Sequence, residues 1–133
     1  MEQSITRKPD YRDLDLNFEK HPATGDVSKL IGAEAIKRSI RNLVLTHFYE
    51  RKFQHSIGSN VTKLLFENIN PMTANFLENA ISEVIYNYEP RANLLEVSVT
   101  QMPDQNQYEA SVVFKIRGLT TPVTFSLFLK RIR

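Results

Sequence analysis

The sequence predicts an α+β fold, with central helices packed on one face of a small antiparallel β-sheet built from the C-terminal third. An N-terminal strand is a candidate addition to that sheet. Three observations carry this expectation. Apolar residues recur at helical spacing through the middle of the chain. They alternate strictly with polar residues through the last third. Between the two regimes stands Pro90, which pushes the residue before it out of the helical region. Helices followed by a run of strands are the pattern of an α+β domain.

Residues 1–10 are polar and read as a mobile arm ahead of a single domain over 11–133. Leu14, Leu16 and Phe18 then alternate with Asp13, Asp15, Asn17 and Glu19, the period of a short strand with one apolar face. His21 to Asp26, with its Pro and Gly, reads as a loop. Ile36, Ile40, Leu43 and Val44 fall on one face of a helix over about Ala33 to Thr46. Lys37, Arg38 and Arg41 lie mainly on its other side. The pattern breaks from Phe48 to Asn60, where Gly58-Ser59-Asn60 resembles a turn, and a short helix through Val61, Leu64 and Leu65 comes next.

The longest helix has the clearest start and stop. Asn70 can cap it, and Pro71 suits its first position, where the missing N–H costs nothing. Phe76, Leu77, Ala80, Ile81, Val84, Ile85 and Tyr88 form an apolar stripe wide enough to imply burial against a sheet. Three strands come after it. Leu95, Val97 and Val99 mark the first, Tyr108 to Ile116 the second and Val123 to Leu129 the third, with a turn at Pro103-Asp104-Gln105-Asn106 and Gly118 in the next connection. An antiparallel meander with one wet face is expected.

Composition bounds the function. The 133 residues are one domain's length, 41% apolar and 24% charged, which is globular rather than disordered. The absence of cysteine excludes disulfides and thiolate metal sites. No run of about 18 apolar residues suggests a membrane span, and the polar start lacks the apolar stretch of a secretory signal. The net charge of +2 is local, with Lys130, Arg131 and Arg133 near the C-terminus, and is too small to predict nucleic-acid binding.

No catalytic, metal or cofactor set emerges, so an enzyme is not expected. Glycoside hydrolysis needs two facing carboxylates. Glu78 and Glu83 lie five apart on the long helix and do not share a face; among these and Glu50, Glu67 and Glu89, most read as solvated charges. His47 and His55 stand eight apart in a loop, and His21 is alone, none at metal-ligand spacing. The serines lack a nucleophile-elbow context, and four glycines are too few for a phosphate loop.

Two features point to partners instead. Glu89-Pro90-Arg91 stands where the long helix ends. A helix C-terminus carries partial negative charge, so Arg91 is favourable there and Glu89 is not. Either an internal ion pair holds the carboxylate, or Pro90 stiffens a corner that presents Glu89 and Arg91 to another chain; both readings are open. The second feature is the strand bearing Val123, Phe125, Leu127 and Leu129. It has no interior charge or proline to blunt a sheet edge. An unblunted edge can accept a strand from another chain, unless the N-terminal strand covers it.

Several of these residues stand in the order of a known family. Glu50-Arg51-Lys52-Phe53, Gly58-Ser59, Leu64-Leu65-Phe66-Glu67 and the long helix ending in Tyr88-Glu89-Pro90-Arg91 resemble the baseplate wedge, or tail-sheath initiator, proteins of T-even-like contractile phages. That family is shared with a baseplate component of bacterial type VI secretion and has carried a tail-lysozyme label. The resemblance runs from about residue 27 to residue 117. The triplet alone is weak; its place after the other motifs makes the match specific. Tyr49 stands where members often have Gly, and Lys52 where they often have Pro, so that loop is expected to take its own path. The resemblance implies a non-enzymatic structural protein of the virion. It implies that the triplet anchors to a helical bundle of other wedge subunits, and that the sheet templates the first tail-sheath subunits by edge-strand pairing, with the tail tube a further candidate neighbour. Two other readings are a peptidoglycan hydrolase and a small regulatory binder, since bacterial anti-adaptor proteins have a similar fold. A glutamate-to-glutamine scan would identify the first, and the identity of the bound partner the second.

Overall fold

The computed structural model describes residues 11–132, and the expected N-terminal arm lies outside them. Two short strands, β1 (Arg12–Leu14) and β2 (Lys29–Ile31), pair antiparallel. Three helices come next, α1 (Ala33–Leu45), α2 (Val61–Leu64) and α3 (Pro71–Tyr88). A three-stranded antiparallel meander closes the chain: β3 (Ala92–Met102), β4 (Gln107–Ile116) and β5 (Pro122–Lys130), in spatial order β3-β4-β5. The α+β expectation and the order of its elements hold.

Local chemistry sets the helix boundaries. Gly32 turns the chain from β2 into α1 with φ of 63°, on the positive side that residues with a Cβ rarely adopt. The Asn70 side chain accepts from the Thr73 N–H at 2.7 Å, and Pro71 opens α3 as expected. The last α3 bond runs from the Glu89 N–H to the Ile85 carbonyl at 3.0 Å, after which Pro90 has no N–H to continue the ladder.

The core lies between the helices and the dry face of the meander. Ile36, Ile40 and Val44 of α1 meet Leu77, Ile81 and Ile85 of α3 and Tyr108, Val112 and Phe114 of β4, all buried. Full burial of side chains this size is worth about 1.5–3 kcal/mol each against exposure. Phe76, expected in the α3 stripe, is half exposed; Thr73 and Ala74 are buried one turn earlier.

Four expectations need correction. The N-terminal strand ends at Leu14, because a turn comes next in which Phe18 takes φ of 54°. Its alternation does not mark a buried face: Leu14, Leu16 and Phe18 are all exposed. It also pairs with β2 rather than joining the meander. On β3, Val97 and Val99 point inward but Leu95 points out. A bulge between Leu94 and Glu96 inserts one residue and reverses the facing of everything before it.

Candidate functional site

The corner where α3 meets β3 is an ion-paired knot. Glu89 is 2% exposed. Arg91 Nε donates to Glu89 Oε1 at 2.7 Å, and Nη2 donates to Oε2 at 3.0 Å, the fork geometry that makes Arg a strong carboxylate partner. The other side of the guanidinium reaches Asp13 of β1, with Nη1 to Oδ1 at 3.3 Å and Nη2 to Oδ2 at 3.2 Å. The Tyr11 ring lies 5.8 Å from the guanidinium carbon, within cation–π range. The hydrogen bond to Glu89, then the bonds to Asp13, hold the Arg91 pKa above its ordinary value despite partial burial. Of the two sequence readings, the internal ion pair is the one observed. The Glu89 carboxylate is turned inside, and Pro90 is the exposed residue of the triplet.

Beside this corner opens a cleft of about 740 Å³, bordered by Tyr86, Glu89, Pro90, Asn93, Lys115 and Arg117. Tyr86 is exposed on the last turn of α3. Aromatic and Arg side chains at such a rim are the types that dominate protein–protein contacts.

The second predicted feature is the strand from Val123 to Leu129, which forms most of β5 and lies at the edge of the meander. The N-terminal strand does not cover it. Val123, Phe125, Leu127 and Leu129 all turn toward the helices. Leu127 and Leu129 are buried, and Phe125 meets Phe114 edge-on at 6.0 Å. Their side chains therefore belong to the chain's own core. The groups left for a partner are chiefly main-chain ones, with Phe125 only partly buried. The Arg131 N–H donates to the Asn106 carbonyl at 3.0 Å, which fixes the parity of the β4–β5 ladder. Counting back in steps of two, Val123, Phe125, Leu127 and Leu129 bond β4, while Thr124, Ser126, Phe128 and Lys130 direct their N–H and C=O groups away from it.

The other edge, β3, is treated differently. The same parity carried through β4 turns the Val99 N–H outward, and there the Glu78 carboxylate of α3 accepts it at 2.9 Å. Sequence spacing reads Glu78 as a solvated charge; it accepts an outward N–H of a sheet edge instead. Spacing could not show this, nor the grip of Asp13 and Tyr11 on Arg91, since each contact joins elements far apart in the chain. Arg131, part of the C-terminal basic group, pins the chain end by donating to the Glu67 carbonyl at 3.0 Å and to Asn68 Oδ1 at 2.8 Å.

The loop between α1 and α2 carries the departures from the family pattern. Tyr49 and Phe53 both have positive φ, 67° and 68°, although neither is Gly. Tyr49 thus occupies a conformation that a glycine adopts freely. Gly58 at the loop's end is buried, and a Cβ there would lie 2.5 Å from the Phe48 nitrogen.

The chain matches the model of the baseplate wedge protein gp25 family over residues 31–121. It is 32% identical over 106 residues to the baseplate wedge protein gp25 of Enterobacteria phage T4, covering 80% of each chain. Among solved structures it resembles a subunit in the baseplate of the anti-feeding prophage, with TM-score 0.62, 25% identity, and coverage of 90% of this chain and 85% of the other. A Geobacter sulfurreducens protein described as a candidate tail lysozyme superposes with TM-score 0.69 at 24% identity over 75% of this chain and 91% of that one. A chain of the postcontracted pyocin R2 baseplate gives 0.53 at 15% identity, over 89% of this chain and 98% of the other. The last two likenesses show the fold alone. Sequence match, motif order and fold thus agree, and the chain belongs to the baseplate wedge protein gp25 family.

Proposed function

We propose that this chain is a non-enzymatic structural subunit in the baseplate of a contractile tail. It is held to other wedge subunits through the Glu89-Pro90-Arg91 corner and offers β5 as the template on which the first tail-sheath subunit pairs. The family match supports the baseplate role and a place in the virion. The observation that carries the templating role is the asymmetry of the sheet. At the β3 edge the Glu78 carboxylate takes the outward Val99 N–H, while β5 leaves a row of outward main-chain groups with no such acceptor among the described residues.

In this reading the corner serves as a rigid platform. Contact passes through exposed Pro90, the outer flank of Arg91 and the adjoining cleft. The engagement of Glu78, Glu89, Asp13 and Glu50 as structural acceptors supports the non-enzymatic assignment. Measured turnover of murein by the purified protein, abolished by a glutamate-to-glutamine change, would overturn it.

Two variants test the contacts. Ser126→Pro removes an outward N–H and should block association with the sheath subunit of the same tail while the isolated protein stays folded by circular dichroism. The pair Glu89→Leu with Arg91→Met should preserve the fold and weaken incorporation into wedges. Normal wedge incorporation and normal sheath association by these folded variants would mean that neither contact is made.

A further inference from the structure

Between α1 and β5 lies a groove of about 210 Å³ whose floor includes Leu30, Phe125 and Leu127. Its α1 side carries Lys37, Arg38 and Arg41, with Glu34 the acidic residue among the lining groups. Lys37 is satisfied by Glu34 at 2.9 Å. Arg38 reaches toward Asp15 at 3.5 Å and Asn17 at 3.4 Å. Arg41 is exposed and has no ion pair or hydrogen-bond partner among the described residues. The groove therefore joins an apolar floor, an unpaired cation and the outward main chain of Ser126.

A strand adding to β5 projects alternate side chains to the two faces of the sheet. Those on the helix side enter this groove. We propose that the incoming strand bears a carboxylate on that side, which meets Arg41, and an apolar residue two positions along, which covers the partly exposed Phe125. This deepens the edge-pairing reading given above and rests on it. The charge balance also argues against a second copy of this chain as the occupant. β5 contains no Asp or Glu, and its only charged residue is Lys130. Two copies paired edge to edge would bring no acid from β5 to Arg41.

The test uses the full chain and the sheath subunit of the same tail, with association measured at several salt concentrations. Arg41 is exposed on α1, so Arg41→Glu and Arg41→Lys should fold normally. Arg41→Glu should weaken association about tenfold or more, because it sets like charges together. It should also flatten the salt dependence, whereas Arg41→Lys should keep most of the affinity. If Ser126→Pro abolishes association and Arg41→Glu leaves it unchanged, the edge pairing stands and the carboxylate contact falls. If neither changes it, both fall. Weakening by Arg41→Glu with no effect of Ser126→Pro would put the charge contact away from the edge and overturn the proposal. So would sedimentation of the chain alone as a dimer that Ser126→Pro disperses, since the occupant would then be a second copy.

Discussion

Arg91 touches Glu89, Asp13 and Tyr11 at once, and the partners differ in how far water can replace it. Asp13 keeps 35% of its side chain exposed and can be solvated if the guanidinium is removed. Glu89, at 2%, cannot. Arg91→Ala should therefore cost about 3 kcal/mol, the range for breaking a buried pair from one side. Calorimetry should show a fall in Tm of roughly 10 °C. Replacing both charges, Glu89→Leu with Arg91→Met, should recover most of that loss, because no buried charge is left alone. A larger fall in the double variant than in the single one would mean that the pair does more than neutralise its own burial. The raised Arg91 pKa also sets a pH dependence. Its stabilisation is fully present below the ordinary guanidinium value and fades only as pH rises through the higher folded value, so no alkaline transition below about pH 11 should trace to it. Gly58 is the other residue with a sharp expectation. Its Cβ would meet His47 and Phe48 main-chain atoms at 2.5–2.7 Å, and backbone cannot give way as a flexible side chain can. Gly58→Ala should lower stability by about 1–3 kcal/mol, read as a lower urea midpoint. Gly58 is visible in the sequence as part of a turn and Glu89 as a misplaced charge, because each departs from a local rule. Nothing local marks Asp13 as the partner of Arg91, since the two lie 78 positions apart.

At the scale of elements, what is legible has a local cause. The cap at Asn70, the proline at the start of α3 and the proline after its end act within a turn of where they stand, and the helix runs from Pro71 to Tyr88 as expected. The β4 alternation survives intact, since buried and half-buried residues alternate along its length. The β3 pattern fails at Leu95, where pairing with β4 imposes a bulge that its own sequence does not announce. The β1 alternation fails because period two predicts a strand's two faces but not whether anything packs on either. β5 shows the same divide: its apolar side chains are readable, and the direction of its main-chain groups requires the ladder. That direction makes a prediction within one strand. Phe125→Pro removes an N–H that bonds β4, leaving a carbonyl without its donor at a cost of about 1–3 kcal/mol before any loss of packing. Ser126→Pro removes an N–H that points away from the sheet and should leave the urea midpoint nearly unchanged. Equal destabilisation by the two would show that the assigned parity of the ladder is incorrect.

At the scale of the whole molecule, the two sheet edges are unlike because different neighbours stand beside them. α3 packs against β3 and brings Glu78 to the Val99 N–H. α1 stands beside β5 and brings Lys37, Arg38 and Arg41 to it, with its one carboxylate there, Glu34, paired to Lys37. An edge without protection invites pairing with any available strand; at β3 the Glu78 carboxylate takes the outward Val99 N–H, and no such acceptor stands at the outward N–H groups of β5 among the described residues. Removing the Glu78 carboxylate should change both stability and assembly. Glu78→Ala frees the Val99 N–H and deletes a charge-assisted bond, so stability should fall by about 1.5–3 kcal/mol. It also leaves the Val99 N–H open beside the outward groups of Val97 and Gln101 on the same edge. Copies could then join β3 to β5 head to tail, a heterologous contact that need not close on itself. Sedimentation of the variant should show association that grows with concentration, and Ser126→Pro added to it should suppress that association by closing the other edge. A Glu78→Ala protein that stays monomeric at concentrations where it is folded would mean that the body of α3, rather than the single carboxylate, keeps this edge shut.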